Sequence, residues 1–149
     1  MSQQEQKIID LQALITVAIE QTKKSYCPYS NYPVGCAVLC PDGKIFGGSN
    51  IENASYGLTI CAERSALAAA TSLGYRSFDA IVVATKDGGS CCGNCRQFIR
   101  EFIAADSVAP IVMVKSDRTI TKEFVMETLL PNSFGPENLN IPQPTQKLE

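Results

Sequence analysis

Two apolar segments joined by one helical segment are the feature that most restricts the fold of this chain. The residues from Phe78 to Thr85 are almost continuously apolar, as expected for a strand that is covered on both faces, and Ile111 to Lys115 repeats this pattern. Between them, Cys92 to Ala104 is predicted to form a helix with Phe98, Phe102 and Ile103 on its inner face. Strands joined by a helix are normally parallel neighbours, so we predict such a pair, with the first strand at the centre of the sheet.

The rest of the chain predicts two more helices and three more strands. Apolar residues recur at helical spacing from about Ile8 to Lys24, and strong helix formers fill Cys61 to Leu73. Val34 to Cys40 and Lys44 to Gly48 flank a Pro-Asp-Gly turn and are predicted to form an antiparallel hairpin. Thr119 to Thr121 follows the preceding strand so closely that only an antiparallel return is possible.

The composition argues against several classes of partner. The 149 residues carry 13 Lys+Arg against 15 Asp+Glu, with no basic block, so the chain lacks the charge pattern of a nucleic-acid-binding protein. No apolar run is long enough for a membrane span, and Met1 to Lys7 does not resemble a signal peptide, so we expect a cytoplasmic protein without a membrane partner. Because the chain has no His, acid/base chemistry near neutral pH must use a carboxylate, a thiol, a Lys or a metal ion.

Three of the seven cysteines form a pattern that is typical of a catalytic zinc site. Cys61 and the pair Cys92 and Cys95 fall at the predicted starts of two helices, where thiolates are favoured, and catalytic zinc commonly has three protein ligands. Glu63 lies two residues after Cys61, so its carboxylate could move protons beside the metal without binding it. Arg64 is adjacent, and we hypothesise that it donates to a ligand sulfur.

The same residues also allow plainer interpretations. A Cys-x-x-Cys pair before a helix can be a redox pair or half of a structural zinc site, in which case the chain would have no hydrolytic activity. A noncatalytic interaction protein is another alternative, although it would have no need of Glu63 beside three cysteines. The other cysteines Cys27, Cys36 and Cys40 are predicted to be buried small apolar residues.

Cys-x-Glu followed by Cys-x-x-Cys is the signature of zinc-dependent base deaminases. Around this signature the chain resembles the small cytidine deaminases that act on free nucleosides, over nearly its whole length. The resemblance is carried, in chain order, by Tyr29–Gly35, Asn50–Gly57, Cys61–Arg64, Cys92–Gln97 and Leu129–Pro136.

The resemblance implies an α/β fold with three α/β/α layers and a five-stranded mixed sheet. It further implies one domain over residues 1–149 and a homotetramer in which neighbouring subunits complete each active site. The C-terminal tail, residues 132–149, is then expected to dock on a neighbouring subunit.

The activity that the resemblance implies is hydrolytic deamination of cytidine and 2′-deoxycytidine to the corresponding uridines, with release of ammonia, in pyrimidine salvage. It implies that one zinc ion per subunit is held by Cys61, Cys92 and Cys95, and that Glu63 moves protons between the attacking water, ring N3 and the departing ammonia. Substrate contacts are implied for Asn50, Glu52, Tyr32, Ala54, Tyr56 and Phe134. Of these, Asn50 and Glu52 correspond to the residues that hold the ribose hydroxyls, and a carboxylate there would also repel a phosphate.

The chain departs from the family pattern at Cys91, where the family usually has Pro. A fourth ligand at this position is not expected, because adjacent residues cannot readily direct both side chains at one tetrahedral ion. Three questions stay open at this level: whether the Cys91 thiol oxidises or competes for metal, whether ribose or deoxyribose is preferred, and whether the substrate is instead another cytosine nucleoside, such as an antibiotic analogue.

Overall fold

A five-stranded mixed sheet forms the centre of this computed structural model, which describes residues 8–144, 147 and 148. The order of the strands across the sheet is β2-β1-β3-β4-β5. Their bounds are β1 Gly35–Leu39, β2 Ile45–Ser49, β3 Ala80–Thr85, β4 Ile111–Lys115 and β5 Ile120–Phe124. The predicted hairpin, the central strand and the antiparallel last strand are confirmed.

The two apolar segments pair as predicted. β3 and β4 are parallel, with Val82 opposite Val112, and β3 pairs on its other side with β1 in antiparallel orientation. Every residue of β3 is buried, because the sheet is covered on both faces there.

Helices cover both faces of the sheet, so the three-layer α/β/α architecture is confirmed. α1 (Leu11–Thr22) packs on one face through Leu14, Ile15 and Ala18. α2 (Ala62–Ser72) and α3 (Gly93–Phe102) lie on the other face. The short helix α4 (Met126–Leu129) and two 3₁₀ turns, Tyr56–Leu58 and Pro136–Leu139, complete the elements. Within the described residues, none of the helices combines the length and apolar character needed to cross a membrane.

The buried face of α3 differs from its prediction at one residue, since Ile103 is buried and Phe102 packs against the core as predicted. Phe98, predicted to point inward, is 37% exposed, whereas Ile99 is fully buried and Arg100 is 1% exposed. The inner face therefore begins with Cys95 and includes a charged residue, which apolar spacing alone does not reveal.

The segment after α4 packs against α3 of its own chain. The Arg100 guanidinium forms an ion pair with Glu137 and donates from Nε to Ser133 Oγ at 2.8 Å. Gln97 Nε2 donates to the carbonyl oxygen of Phe134 at 3.0 Å. These contacts order the described part of the tail; residues 145, 146 and 149 of the predicted tail lie outside the described residues.

Gly48 allows α2 to lie directly on β2. A Cβ at this position would lie 2.3 Å from Ala66 N and 2.7 Å from Ala62 O, both of them backbone atoms of α2. We expect Gly48→Ala to lower the free energy of unfolding by about 3 kcal/mol, because an added methyl must push backbone away. Chemical denaturation measures the change. Gly57→Ala is the matched control, since its Cβ would meet nothing within 4 Å; equal losses for the two variants would contradict the prediction.

Candidate active site

Three thiols from two helix starts converge at one point. Cys61 is the N-cap residue of α2, Cys92 is the N-cap residue of α3, and Cys95 follows one turn later. Their three sulfurs lie within 4.8 Å of one another. Both helices begin here because the cysteine caps keep extended backbone, with ψ of 156° at Cys61 and 166° at Cys92. The positive ends of two helix dipoles therefore face the cluster.

The spacing of the sulfurs fits zinc. Tetrahedral zinc with Zn–S bonds of about 2.3 Å separates its sulfurs by about 3.8 Å. The Cys61 and Cys92 sulfurs are 3.9 Å apart. With three protein donors, a tetrahedral ion would keep one position for water, as catalytic zinc sites do.

The thiols are electrostatically prepared to bind a cation. Hydrogen bonding from Cys95, and then from Arg64, lowers the pKa of the Cys61 thiol to about 5. The contact with Cys61 raises the pKa of Cys95, because two neighbouring sulfurs resist double ionisation. Arg64 Nη2 lies 3.8 Å from Cys61 Sγ and also donates to Thr59 O at 3.1 Å, which holds its positive charge beside the sulfur.

Glu63 lies in the first turn of α2 with its carboxyl group directed into the site. It is 4% exposed, and burial is the largest cause that raises the pKa of its carboxyl. Glu63 also lies close enough to Cys61 for the charge of that sulfur to raise this pKa further. A buried carboxyl beside a thiol cluster can accept a proton and return it within the same site.

A cavity of about 190 Å³ opens at the cluster. Six residues that sequence analysis singled out line it: Tyr32, Asn50, Glu52, Cys61, Glu63 and Cys92. Sequence reasoning missed Val34, Thr59, Val83, Thr85 and Ser90, which also line it. The sequence does contain one indication for Thr85 and Ser90. They flank the loop between a buried strand and the Cys-x-x-Cys helix, and loops of this kind often carry functional residues.

Glu52 lies where this cavity meets a second one. The second cavity, of about 250 Å³, is lined by Tyr29, Ser30, Glu52, Tyr56 and Thr59. Glu52 Oε1 accepts the backbone N–H groups of Tyr29 and Ser30, each at 3.1 Å. Burial raises the pKa of the Glu52 carboxyl, but the hydrogen bonds outweigh it and lower this pKa overall. The hydrogen bond from Ser30 lowers it more than the one from Tyr29. The Glu52 carboxylate is thus held at the junction of the two cavities by the backbone before β1.

Asn50 is held mostly by its own chain. Its Oδ1 accepts from Val34 N at 2.9 Å and from the Ser25 hydroxyl, and its Nδ2 donates to Tyr32 O at 2.9 Å. A side-chain amide has two acceptor positions and two donor hydrogens, so one N–H remains for a ligand. Asn50 therefore organises the cavity wall as well as lining it.

The remaining predicted substrate contacts lie elsewhere. Tyr56 is 73% exposed and reaches only the second of the two cavities. Among the residues that the structure describes, Ala54 and Phe134 line neither cavity, and Phe134 is 58% exposed at the surface. The chain by itself thus brings together the thiols, Glu63, Tyr32, Asn50 and Glu52, but not these outer residues.

Cys91 is directed away from the thiol cluster. Its side chain is 5% exposed, and its Sγ lies 4.0 Å from Met113 Sδ in the core. It also contacts Glu63, and burial, then the charge of Glu63, raises the pKa of the Cys91 thiol. Within the described residues, the sulfurs that cluster as possible metal ligands are those of Cys61, Cys92 and Cys95, and Cys91 is not among them.

Comparison with known proteins places the chain in a family. The family model for the cytidine and deoxycytidylate deaminase zinc-binding region matches residues 9–110. A probable cytidine deaminase of Dictyostelium discoideum is 46% identical over 133 residues, which cover 87% of each chain. A cytidine deaminase of Halalkalibacterium halodurans is 43% identical, with 89% of this chain and 99% of that protein covered.

A solved structure leads to the same family. The crystal structure of cytidine deaminase from Burkholderia pseudomallei superposes with a TM-score of 0.77 at 40% identity, covering 85% of this chain and 100% of that one. The matched family model describes a zinc-binding region, and the Cys61, Cys92 and Cys95 cluster in this chain could hold a metal ion. The chain therefore belongs to the zinc-dependent cytidine and deoxycytidylate deaminase family.

Proposed function

We propose that this protein hydrolytically deaminates cytidine and 2′-deoxycytidine to uridine and 2′-deoxyuridine, releasing ammonia. The observation that carries the proposal is the buried carboxyl of Glu63, which shares one cavity with the thiols of Cys61 and Cys92. A structural zinc site does not need such an acid, whereas a hydrolytic site uses one to move protons. Family membership and the names of the relatives support the same reaction.

The division of labour in the site follows from its residues. Cys61, Cys92 and Cys95 would hold the zinc ion, which when bound supplies a Lewis acid that makes water nucleophilic near neutral pH. Glu63 accepts a proton from the attacking water and delivers it to ring N3 of the substrate. It then takes the remaining proton of that water from the new C4 hydroxyl and transfers it to the C4 amino group, which leaves as ammonia while the C4 carbonyl forms.

The polar wall of the cavity orients the nucleoside. The Glu52 carboxylate accepts a ribose hydroxyl, and Asn50 offers its remaining N–H. Tyr32 presents its ring to the pyrimidine as a stacking partner. The fixed negative charge of Glu52 disfavours a substrate with a phosphate on the sugar, so free nucleosides are preferred over nucleotides.

Ammonia release from cytidine tests this function. We expect the purified protein to carry one zinc ion per chain and to release ammonia from cytidine and deoxycytidine in proportion to the nucleoside consumed. Prolonged incubation with a chelator should abolish activity, and added zinc should restore it. Ammonia release that persists after the zinc has been removed, or a zinc-loaded protein that is inert towards cytosine nucleosides including blasticidin, would overturn the proposal.

We further propose that the chain acts as a single domain and assembles as a homotetramer with shared sites. An exposed apolar patch adjoins the second cavity and consists of Tyr26, Tyr29, Ile51, Tyr56, Leu58 and Ile60. Tyr29 and Tyr56 are in edge contact, with ring centroids 5.5 Å apart, and apolar patches of this kind commonly mark protein interfaces. The exposed Phe134 is then available to a neighbouring site. Sedimentation equilibrium, which measures the mass of the assembly, tests this proposal.

A further inference from the structure

The hydroxyl of Tyr32 is bound by a residue outside the cavity. It donates a hydrogen bond to Asp87 Oδ1, and the Lys86 ammonium lies 5.4 Å from the centre of the Tyr32 ring. The hydrogen bond from Tyr32 is the largest cause that lowers the pKa of the Asp87 carboxyl, which favours an ionised acceptor. Asp87 itself is exposed and lines neither cavity described above.

Asp87 is in turn fixed by its own loop. Its Oδ1 also accepts from Thr85 Oγ1 at 3.1 Å and from Gly89 N at 3.2 Å. Thr85 is 4% exposed at the end of β3, and its hydroxyl accepts Gly89 N at 2.8 Å. The carboxylate is thus preorganised on a rigid strand end before it meets the tyrosine.

The backbone of Tyr32 is held at the other end of the residue. Its N–H donates to Ser30 Oγ at 3.1 Å, and its carbonyl oxygen accepts from Asn50 Nδ2 at 2.9 Å. With backbone and hydroxyl both bound, the ring has one orientation against the cavity. The Tyr32 hydroxyl also packs closely against the backbone of Gly89, where an added Cβ would lie 2.9 Å from the hydroxyl oxygen.

The two loops joined by this hydrogen bond carry different parts of the site. Tyr32 belongs to the loop before β1, which forms the aromatic wall of the cavity. Asp87 belongs to the loop from β3 to α3, which ends at the metal-site residue Cys92. The Tyr32–Asp87 contact is therefore a direct side-chain link between the wall and the loop that leads to the thiols.

We propose that Asp87 is a positioning residue for substrate binding, which holds the Tyr32 ring in the orientation that stacks on the pyrimidine. The inference rests on the proposed function, because it takes the pyrimidine to lie against Tyr32. Asp87 acts through Tyr32 and touches no reacting atom, so its contribution belongs to the affinity for substrate rather than to the chemical step.

Steady-state kinetics of Asp87 variants test the proposal. We expect Asp87→Ala to raise KM for cytidine about tenfold while kcat falls less than about threefold, since a hydrogen bond to a charged group is lost without loss of the proton carrier. Asp87→Asn keeps an acceptor oxygen and should raise KM by less than about threefold. The double variant Tyr32→Phe/Asp87→Ala should be no worse than Asp87→Ala alone, because both changes remove the same hydrogen bond.

A second tyrosine–aspartate pair provides a matched control. Tyr75 donates to Asp42 Oδ2 at 2.6 Å, and the Lys147 ammonium lies 4.3 Å from the centre of the Tyr75 ring. This pair lines neither cavity of the site. Asp42→Ala should therefore leave KM for cytidine within about twofold of the unaltered protein, even though it removes an equivalent hydrogen bond.

The outcomes are distinguishable. KM unchanged in Asp87→Ala, or additive effects in the double variant, would overturn the inference while leaving the proposed function intact. Loss of zinc together with kcat would also overturn it, because Asp87 would then support the metal site and not the ring. If Asp87→Ala does not fold, Tyr32→Phe alone carries the test, with the same expected rise in KM. Failure of the proposed function would instead appear as absence of ammonia release by the unaltered protein.

Discussion

Replacing Glu63 with glutamine is expected to lower kcat for cytidine by about 10⁴-fold. General acid–base catalysis typically contributes 10²–10⁴-fold, and the upper end applies because one carboxyl serves the attacking water, ring N3 and the leaving amino group in turn. Glutamine has nearly the same shape but cannot exchange a proton. Ammonia release under saturating cytidine measures the effect.

The Glu63→Gln variant should keep its metal and its fold, since Glu63 contributes none of the three sulfurs. Zinc content per chain and the thermal unfolding midpoint check this directly. Glu123→Gln on the exposed edge strand is the matched control and should retain full activity. If Glu63→Gln retains more than about a tenth of the activity, Glu63 is not the proton carrier.

Replacing Cys92 with serine is expected to remove the zinc and, with it, nearly all turnover. Even the loss of an outer partner of a ligand typically costs 10–100-fold in metal affinity, so the loss of one of three sulfurs should weaken binding by more than about 100-fold. Cys92 is exposed, so the exchange of sulfur for oxygen leaves the core unaltered. Metal analysis after dialysis and ammonia release from cytidine measure the two effects together.

Cys27→Ser is the matched control for Cys92→Ser. Cys27 is a free, half-buried cysteine outside the thiol cluster, so its replacement should leave the zinc content at one per chain. A Cys92→Ser protein that keeps a full complement of zinc through dialysis would show that the metal is held elsewhere.

The order of the central elements was predictable because apolar content dominates there. β3 and β4 are buried on both faces. Because a helix connects them, the chain returns to the same end of the sheet and the two strands pair in parallel. The edge was less predictable: β5 runs to Phe124, beyond the predicted end at Thr121, because Lys122 and Glu123 are exposed and interrupt the apolar pattern. Edge strands commonly carry charged residues, so the apolar alternation that predicts a strand is weaker there.

The start of the first helix was also misplaced. Ile8 is 96% exposed, and the helix begins at Leu11, after Asp10 caps it by accepting from Ala13 N at 3.1 Å. Asp10 is a cap signal that the sequence does contain. The predicted helix began before Asp10 because Ile8 falls at the helical spacing of the apolar residues that follow it.

Within the site, local motifs were predictable and remote contacts were not. Cys61, Glu63 and the Cys92–Cys95 pair are read from short spacings, which one turn of helix fixes. The Tyr32–Asp87 contact joins residues 55 positions apart, and no local pattern reports it. Likewise, the buried position of Arg100 depends on partners that follow α3 by more than thirty residues.

The buried Arg100 also ties α3 to a segment that is synthesised after it. Ser133 and Glu137 are made after α3, so on a growing chain the guanidinium has neither partner when its helix first emerges. The same segment also covers this guanidinium, because a Cβ on Gly135 would lie 2.4 Å from its central carbon. A chain that ends before Ser133 would therefore leave the Arg100 side chain without these partners and without this cover, on the helix that carries Cys95.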